Sequence, residues 1–239
     1  MFRSTPLSLV VIAVLAGCAT PGARPHDMSS TGHDQQASAE AQAAAGHAAQ
    51  YDPSATTTTE RCRTRVGGAA RPSLGDLCWS SVTNPTDTHL AQAEQHRRHA
   101  ADHRGASTAL RDAEERSCAG VAAEDRDTSP FEHVEDIASV ERGTAGAVVT
   151  FRAVPGMSAE RLQLVVDCHL ARNASLGHVV PEMPNCPLVP KGVEARVTAA
   201  GSGFAITIRS SDDATAREIF SRAQRLRPVP VAAVAPPSK

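Results

Sequence analysis

Hydrophobic and polar positions in the C-terminal part of the chain follow two different periods. Residues 147–151 form a short apolar run, and residues 193–199 and 204–208 alternate between apolar and polar side chains on either side of a glycine turn. Both patterns predict β-strands. Residues 158–170 and 210–226 instead repeat their apolar side chains every three or four positions, which predicts two amphipathic helices.

These elements follow one another in the order βαββα. Residues 229–234 would add a last strand, which Pro230 restricts to the edge of a sheet. The order resembles the split βαβ arrangement of ferredoxin-like folds, so we predict an α+β protein with a ferredoxin-like domain over residues 145–235. Small periplasmic metal carriers share this fold, but the chain lacks their Met-x-Cys-x-x-Cys loop. The resemblance therefore implies a fold and no function.

The chain ahead of this domain divides by composition into four segments. Residues 18–60 hold almost no large apolar side chain, so we predict a disordered tether. Residues 61–83 contain glycine and proline breaks and predict a small irregular module, capped by a disulfide. Residues 84–118 have high helix propensity and predict one long helix, and residues 119–144 form a connector. We expect the histidines of the tether to be solvated, with sparse metal scavenging as the alternative; they are His26, His33 and His47.

One face of the predicted long helix carries four histidines. They are His89, His96, His99 and His103. Residues three, four or seven positions apart share a helical face, and neutral imidazoles at that spacing can chelate a zinc, copper or nickel ion. His133, which has carboxylates beside it in the connector, is a further candidate ligand. The alternative is a solvated or packed polar face, because no HExxH motif accompanies the histidines.

The cysteine spacing predicts two short disulfides. Cys62 with Cys78, and Cys168 with Cys186, would each close a loop of about 15–20 residues in an oxidising compartment. Cys118 is then left without a partner. A lone thiol in such a compartment is buried, pairs with another protein, or shows that this pairing is wrong.

The residues around the second cysteine pair also allow a copper site. Soft sulfur and imidazole ligands suit copper, and Cys168, His169, His178, Met183 and Cys186 lie close in the sequence. Adjacent residues on a helix point about 100° apart, however, so Cys168 and His169 would face different sides. A Cys168–Cys186 disulfide explains the same residues more simply.

The N-terminus has the features of a secretory signal. Residues 7–15 form an apolar run that is too short to span a bilayer and ends in Leu15-Ala16-Gly17-Cys18. This motif resembles the lipobox of bacterial lipoproteins. The resemblance implies that residues 1–17 are removed as a signal peptide and that Cys18 is lipidated. Ala19, where an aspartate would resemble an inner-membrane retention signal, favours the outer membrane, with the protein facing the periplasm.

Composition and missing motifs narrow the function further. The formal net charge is −2, which argues against a nucleic-acid partner. No nucleophile-elbow serine, Ser-x-x-Lys motif or phosphate-binding glycine loop is present, so we do not expect an enzyme. We expect a lipid-anchored binding or scaffold module of the cell envelope with a protein partner there. The alternative is transition-metal binding or sequestration by the histidine stripe.

Overall fold

The computed structural model describes residues 21–64 and 76–226. Within these residues the chain is a mixed α+β protein with antiparallel sheets. The α-helices are α1 (Ser30–Ala49), α2 (Asp87–Ser117), α3 (Ala159–Ser175) and α4 (Asp213–Gln224). The strands are β1 (Thr57–Thr64), β2 (Asp76–Thr83), β3 (Ile137–Gly143), β4 (Gly146–Phe151), β5 (Glu194–Ala200) and β6 (Gly203–Arg209). None of the described helices combines the length and the hydropathy needed to cross a membrane. The Leu15–Cys18 motif lies outside the described residues, so lipidation stays a prediction.

Helix α1 occupies residues that the sequence analysis assigned to a disordered tether, and that prediction is wrong for Ser30–Ala49. Ser29 caps the helix by accepting a hydrogen bond from the backbone N–H of Gly32 at 3.0 Å. Alanine, the strongest helix former, supplies much of its length. The prediction failed because it weighed only large apolar side chains, whereas small side chains suffice where two helices approach closely.

Helices α1 and α2 pack against each other along a seam of small side chains. On each helix these side chains recur every seven residues, and all are buried. They are Ser30, Ala37 and Ala44 on α1, and Ala93, Ala100 and Ser107 on α2. A seven-residue repeat keeps the same face of a helix turned towards its partner, as in coiled coils. The repeat therefore determines which side chains of the two helices meet.

Helix α1 also contacts the C-terminal end of α3. The hydroxyl of Ser175 donates a hydrogen bond to that of Ser30 at 3.3 Å. Gly177, just beyond α3, has a left-handed φ of 69°, and a Cβ atom there would lie 2.9 Å from the backbone nitrogen of Ser29. A glycine is therefore required at this position for α3 to approach the start of α1.

Strands β1 and β2 form an antiparallel hairpin in which Cys62 lies opposite Cys78. The two cysteines are joined by a disulfide, as the spacing predicted. The module predicted to be irregular is thus a regular two-stranded ladder in its described part. Residues 65–75, between the strands, lie outside the described residues.

The C-terminal domain is built on an antiparallel sheet with the strand order β3-β4-β6-β5. Helix α3 packs on β5, and helix α4 packs on β4. Its core is made of large aliphatic and aromatic side chains, among them Val149 and Ile206 from the sheet and Val166 and Ile219 from the helices, all fully buried. The alternating and helical periods of the sequence predicted these strands and helices because their buried side chains are large.

Strand β3 lies in the segment that was predicted to be a connector. It pairs with β4 at one edge of the sheet. In the predicted ferredoxin-like order, the position beside the first strand belongs to a strand that follows the last helix. Here β3, which precedes that first strand in the chain, takes the position. The predicted strand over residues 229–234 lies outside the described residues.

One predicted disulfide is wrong. Cys168 is bonded to Cys118, not to Cys186. The prediction chose the shorter loop, but Cys168 faces the end of α2, where Cys118 follows the last helical residue, while the adjacent His169 faces Cys186. The bond spans a sequence separation of 50 residues and ties α2 to α3. Cys186 is buried and is the free cysteine within the described part of the chain.

Candidate metal centre

A second set of residues in the α1–α2 seam repeats every seven positions, and this set is polar. On α1 it consists of His33, Glu40 and His47, and on α2 it consists of His89, His96 and His103. The helices run in opposite directions, so the residues meet in reverse order. We name the pairs the first rung (His33–His103), the central rung (Glu40–His96) and the third rung (His47–His89).

The first rung is a pair of buried imidazoles. The Nδ1 atoms of His33 and His103 lie 3.1 Å apart, and the side chains are 0% and 4% exposed. The Nε2 atom of His33 lies 3.3 Å from the carbonyl oxygen of Pro25, to which it must donate. Neutral His33 therefore has an unprotonated Nδ1, which accepts a hydrogen bond from Nδ1 of His103. Burial, and then the proximity of His33, lower the pKa of His103, which favours the neutral form of His103.

The central rung brings a carboxylate between two imidazoles. Oε2 of Glu40 lies 2.6 Å from Nδ1 of His96 and 3.6 Å from Nδ1 of His99. One ligand atom from each of the three residues lies within 4.8 Å of the others. The hydrogen bond from His96 lowers the pKa of Glu40, so the carboxylate is ionised at neutral pH. The three side chains are partly buried, between 16% and 30% exposed.

A neighbouring side chain orients this carboxylate. The amide nitrogen of Gln36, one turn earlier on α1, donates a hydrogen bond to Oε1 of Glu40 at 3.1 Å. The other oxygen, Oε2, is thereby left facing the two imidazoles. Hydrogen bonds of this kind fix the direction of a metal-binding group before the ion arrives.

The third rung is half-buried. The Nδ1 atoms of His47 and His89 lie 3.4 Å apart. The ring of His47 also stacks on the ring of His96, with the ring centres 5.3 Å apart and an angle of 10° between the planes. The third rung is therefore in direct contact with the central one.

All four histidines of the predicted stripe contact residues of α1, because His99 joins the three rungs through Glu40. His33 is buried and His47 is half-buried, so the prediction that they are solvated is wrong, whereas His26 is exposed. His133 lies apart from the seam. Its exposed ring pairs with Glu135 at 3.1 Å, and this hydrogen bond raises its pKa.

A second cluster in the described residues, Glu60 with Cys62 and Cys78, also has ligand atoms close together. The two sulfur atoms are bonded to each other, however, so neither can act as a thiolate ligand. The cluster is exposed, and we assign it no role in metal binding.

Of the residues predicted as a copper site, Cys168 lies in a disulfide, His169 and Cys186 form a buried thiol–imidazole pair, and His178 instead contacts the carbonyl oxygen of Val189 at 2.9 Å. Cys168 is bonded to Cys118, whereas Nε2 of His169 lies 3.3 Å from Sγ of Cys186. Burial lowers the pKa of His169 to about 4 and raises the pKa of Cys186. Both groups are therefore neutral at pH 7. A reactive cysteine needs a thiolate, so this pair lacks the ionisation of a catalytic dyad.

The sequence analysis placed none of His33, Glu40 and His47 on a helix, and it did not name Glu40 as a ligand. Each lies seven residues from another member of the set, and the small residues of α1 repeat at the same interval. That repeat was the available signal. Comparisons with protein-family models, curated proteins and solved structures find no match to this chain. A functional proposal therefore has to come from the chemistry of the side chains.

Proposed function

We propose that this protein binds a transition-metal ion between helices α1 and α2. The observation that carries the proposal is the group Glu40, His96 and His99, whose ligand atoms lie within 4.8 Å of one another. Two imidazoles and a carboxylate are a common ligand set for zinc, and they leave a fourth position for water or another ligand. Ligands come from both helices, so the packed seam brings them together in advance.

The chemistry of the group favours a divalent ion. Glu40 supplies a negative charge, and the neutral imidazoles supply nitrogen lone pairs, a combination that suits zinc and copper(II). No sulfur atom is among the three ligands, and copper(I) prefers sulfur. Partial exposure and only three protein ligands favour an exchangeable ion over a closed structural site. Uptake or sequestration of the ion is the function we infer.

The lipobox resemblance gives this function a location. We infer that lipidated Cys18 anchors the chain to the outer membrane, so that the seam faces the periplasm. The strand order β3-β4-β6-β5 supports a ferredoxin-like C-terminal domain in which β3 replaces the closing strand. In this proposal the domain holds the end of α2 through the Cys118–Cys168 bond and has no enzymatic role.

Titration calorimetry with zinc and copper(II) on the chain from residue 19 onward, stripped of metal at pH 7.5, tests the proposal. We expect stoichiometric binding to the unaltered chain. The Glu40→Ala/His99→Ala variant should lose more than about 100-fold in affinity, because it lacks two ligands, whereas loss of a supporting hydrogen bond costs roughly 10–100-fold. Gln36→Ala should show that smaller loss. His133→Ala, which removes an exposed histidine outside the seam, is the matched control.

Two results would reject the proposal. One is an unaltered chain that takes up neither ion. The other is an affinity that the Glu40→Ala/His99→Ala variant leaves unchanged. Either result would favour the competing prediction of a scaffold module, for which cross-linking in the cell envelope should capture a protein partner.

A further inference from the structure

The first and third rungs carry imidazoles like the central one, without its carboxylate, and they occur at the same interval. On both helices the rung residues are seven positions apart, which corresponds to about 10.5 Å along a helix. We propose that these two outer rungs are metal sites as well, so that the seam holds a row of ions instead of one. This inference rests on the proposed function of the central rung and extends it.

The distances within the outer rungs support this proposal. Their Nδ1 atoms face each other at 3.1 Å in the first rung and 3.4 Å in the third. Zinc–nitrogen bonds are about 2.0–2.1 Å long, so two nitrogen ligands of one tetrahedral ion lie about 3.3–3.4 Å apart. An ion could therefore replace the direct contact with little movement of either helix.

The protonation of the first rung is suited to such an exchange. The carbonyl of Pro25 holds the proton of His33 on Nε2, which leaves the Nδ1 lone pair directed at His103. An ion entering the rung binds this lone pair, and His103 moves its single proton from Nδ1 to Nε2 by exchange with water. The Nδ1 lone pair of His103 is then also free for the ion, the ring stays neutral, and no net proton is released.

The composition of the seam also points to ligands. Its other buried positions are alanine and serine, so a seam made for stability alone would have small or aliphatic side chains at the rungs too. Removing an imidazole from water costs free energy, and each rung buries its imidazoles wholly or in part. A repeat of ligand-type residues through three successive layers is explained by ion binding at each layer.

The sites differ in expected strength. The central rung has three protein ligands, and each outer rung has two, with water completing the coordination. The third rung is half-buried and the first rung is fully buried, so the third should fill sooner. Neighbouring ions would lie about 10.5 Å apart, which exceeds the Debye length of about 8 Å at physiological salt. Salt would therefore screen most of the repulsion between the partly exposed central and third rungs, and less of it at the buried first rung.

Cadmium-113 NMR and zinc calorimetry on the full chain from residue 19 onward test this inference. We expect three cadmium resonances and a stepwise zinc isotherm, with one tight step followed by weaker ones. His47→Gln/His89→Gln should remove one resonance and one weak step, and His33→Gln/His103→Gln should remove another. His33→Gln/His103→Gln should leave the tight step within about 3-fold of its original affinity, since this pair supplies no ligand to the central rung. His47→Gln/His89→Gln should weaken the tight step by no more than about 10-fold, because His47 stacks on His96 without being a ligand of the central rung.

The results separate the two proposals. A single resonance and a single zinc ion, both insensitive to the outer-rung variants, would overturn this inference and leave the central site standing. No bound ion at all would overturn both. The unaltered chain gives the resonance count without any substitution, so the inference stays testable even if the buried His33→Gln/His103→Gln variant does not fold. His26→Gln, outside the seam, should change neither measurement.

Discussion

The α1–α2 seam and the core of the C-terminal domain are held together by different chemistry. The domain core buries large side chains such as Val149, Ile206 and Ile219, each of which contributes roughly 1.5–3 kcal/mol on burial. The seam buries alanine, serine and the polar rungs, so it removes little apolar surface from water. The core therefore supplies most of the stability. The seam instead determines how α1 is aligned along α2, because only one alignment brings the residues of all three rungs into contact.

The Cys118–Cys168 disulfide joins these two regions, and its removal should have the largest effect. We expect the Cys118→Ala/Cys168→Ala variant to lose about 4 kcal/mol of unfolding free energy in urea, because the bond spans 50 residues and restricts the unfolded chain. Cys62→Ala/Cys78→Ala, which removes the 16-residue bridge of the hairpin, is the comparison and should lose about 3 kcal/mol. An unchanged unfolding midpoint in the first variant would contradict this coupling of the two regions.

Acid should weaken the domain core through His169. Burial, and then the charge of Arg172, hold the pKa of His169 at about 4 in the folded chain, against 6.5 in the unfolded chain. Between these values the unfolded chain binds a proton that the folded chain does not. The unfolding free energy should therefore be complete above pH 6.5, fall by up to roughly 3 kcal/mol as the pH drops to 4, and level off below that.

The measurement is urea unfolding at several pH values for the unaltered chain and for His169→Gln. The variant should have a smaller fall in stability between pH 6.5 and 4, whatever its stability at pH 7. His26→Gln removes an exposed histidine outside the domain core and should reproduce the original pH dependence. Parallel curves for the unaltered chain and His169→Gln would show that another group causes the fall.

A larger side chain in the seam should destabilise the protein, because the two helices leave no space for it. Ala100 is 1% exposed between the helices. We expect Ala100→Leu to destabilise the protein by about 2 kcal/mol through overpacking, and to weaken zinc binding by moving α1 away from α2. Ala101→Leu is the matched control, because Ala101 is exposed and leucine is also a good helix former. A more stable Ala100→Leu variant would mean that the seam is not closely packed.

The size of the buried side chains explains which elements could be predicted from the sequence. Helices α3 and α4 and strands β4 to β6 were predicted because large apolar side chains mark their periods. Helix α1 was missed because its buried face is alanine. Strand β3 was missed because a bulge between Ile137 and Ser139 interrupts its alternation. The Cys118–Cys168 bond was missed because spacing along the chain does not report which side of α3 a cysteine faces.

The sequence predicted the part of the candidate site that lies on α2, but not the part that lies on α1. The histidine stripe on α2 follows from helical geometry alone, since one helix determines which of its residues share a face. The matching residues on α1 can be recognised only when it is known that α1 packs against α2, and the pattern of a single helix carries no information on its partner. The seven-residue repeat of His33, Glu40 and His47 becomes visible only when it is compared with that of α2.

Under the proposed function, the small buried face of α1 would make the docking of this helix sensitive to metal concentration. Because the seam buries little apolar surface, an ion bound by both helices would add substantially to the free energy that keeps α1 docked. A ligand at 100 times its dissociation constant stabilises the form that binds it by about 2.7 kcal/mol. Such an amount is large beside the burial of a few alanines. The fraction of molecules in which α1 is docked on α2 would then rise with the free concentration of the ion.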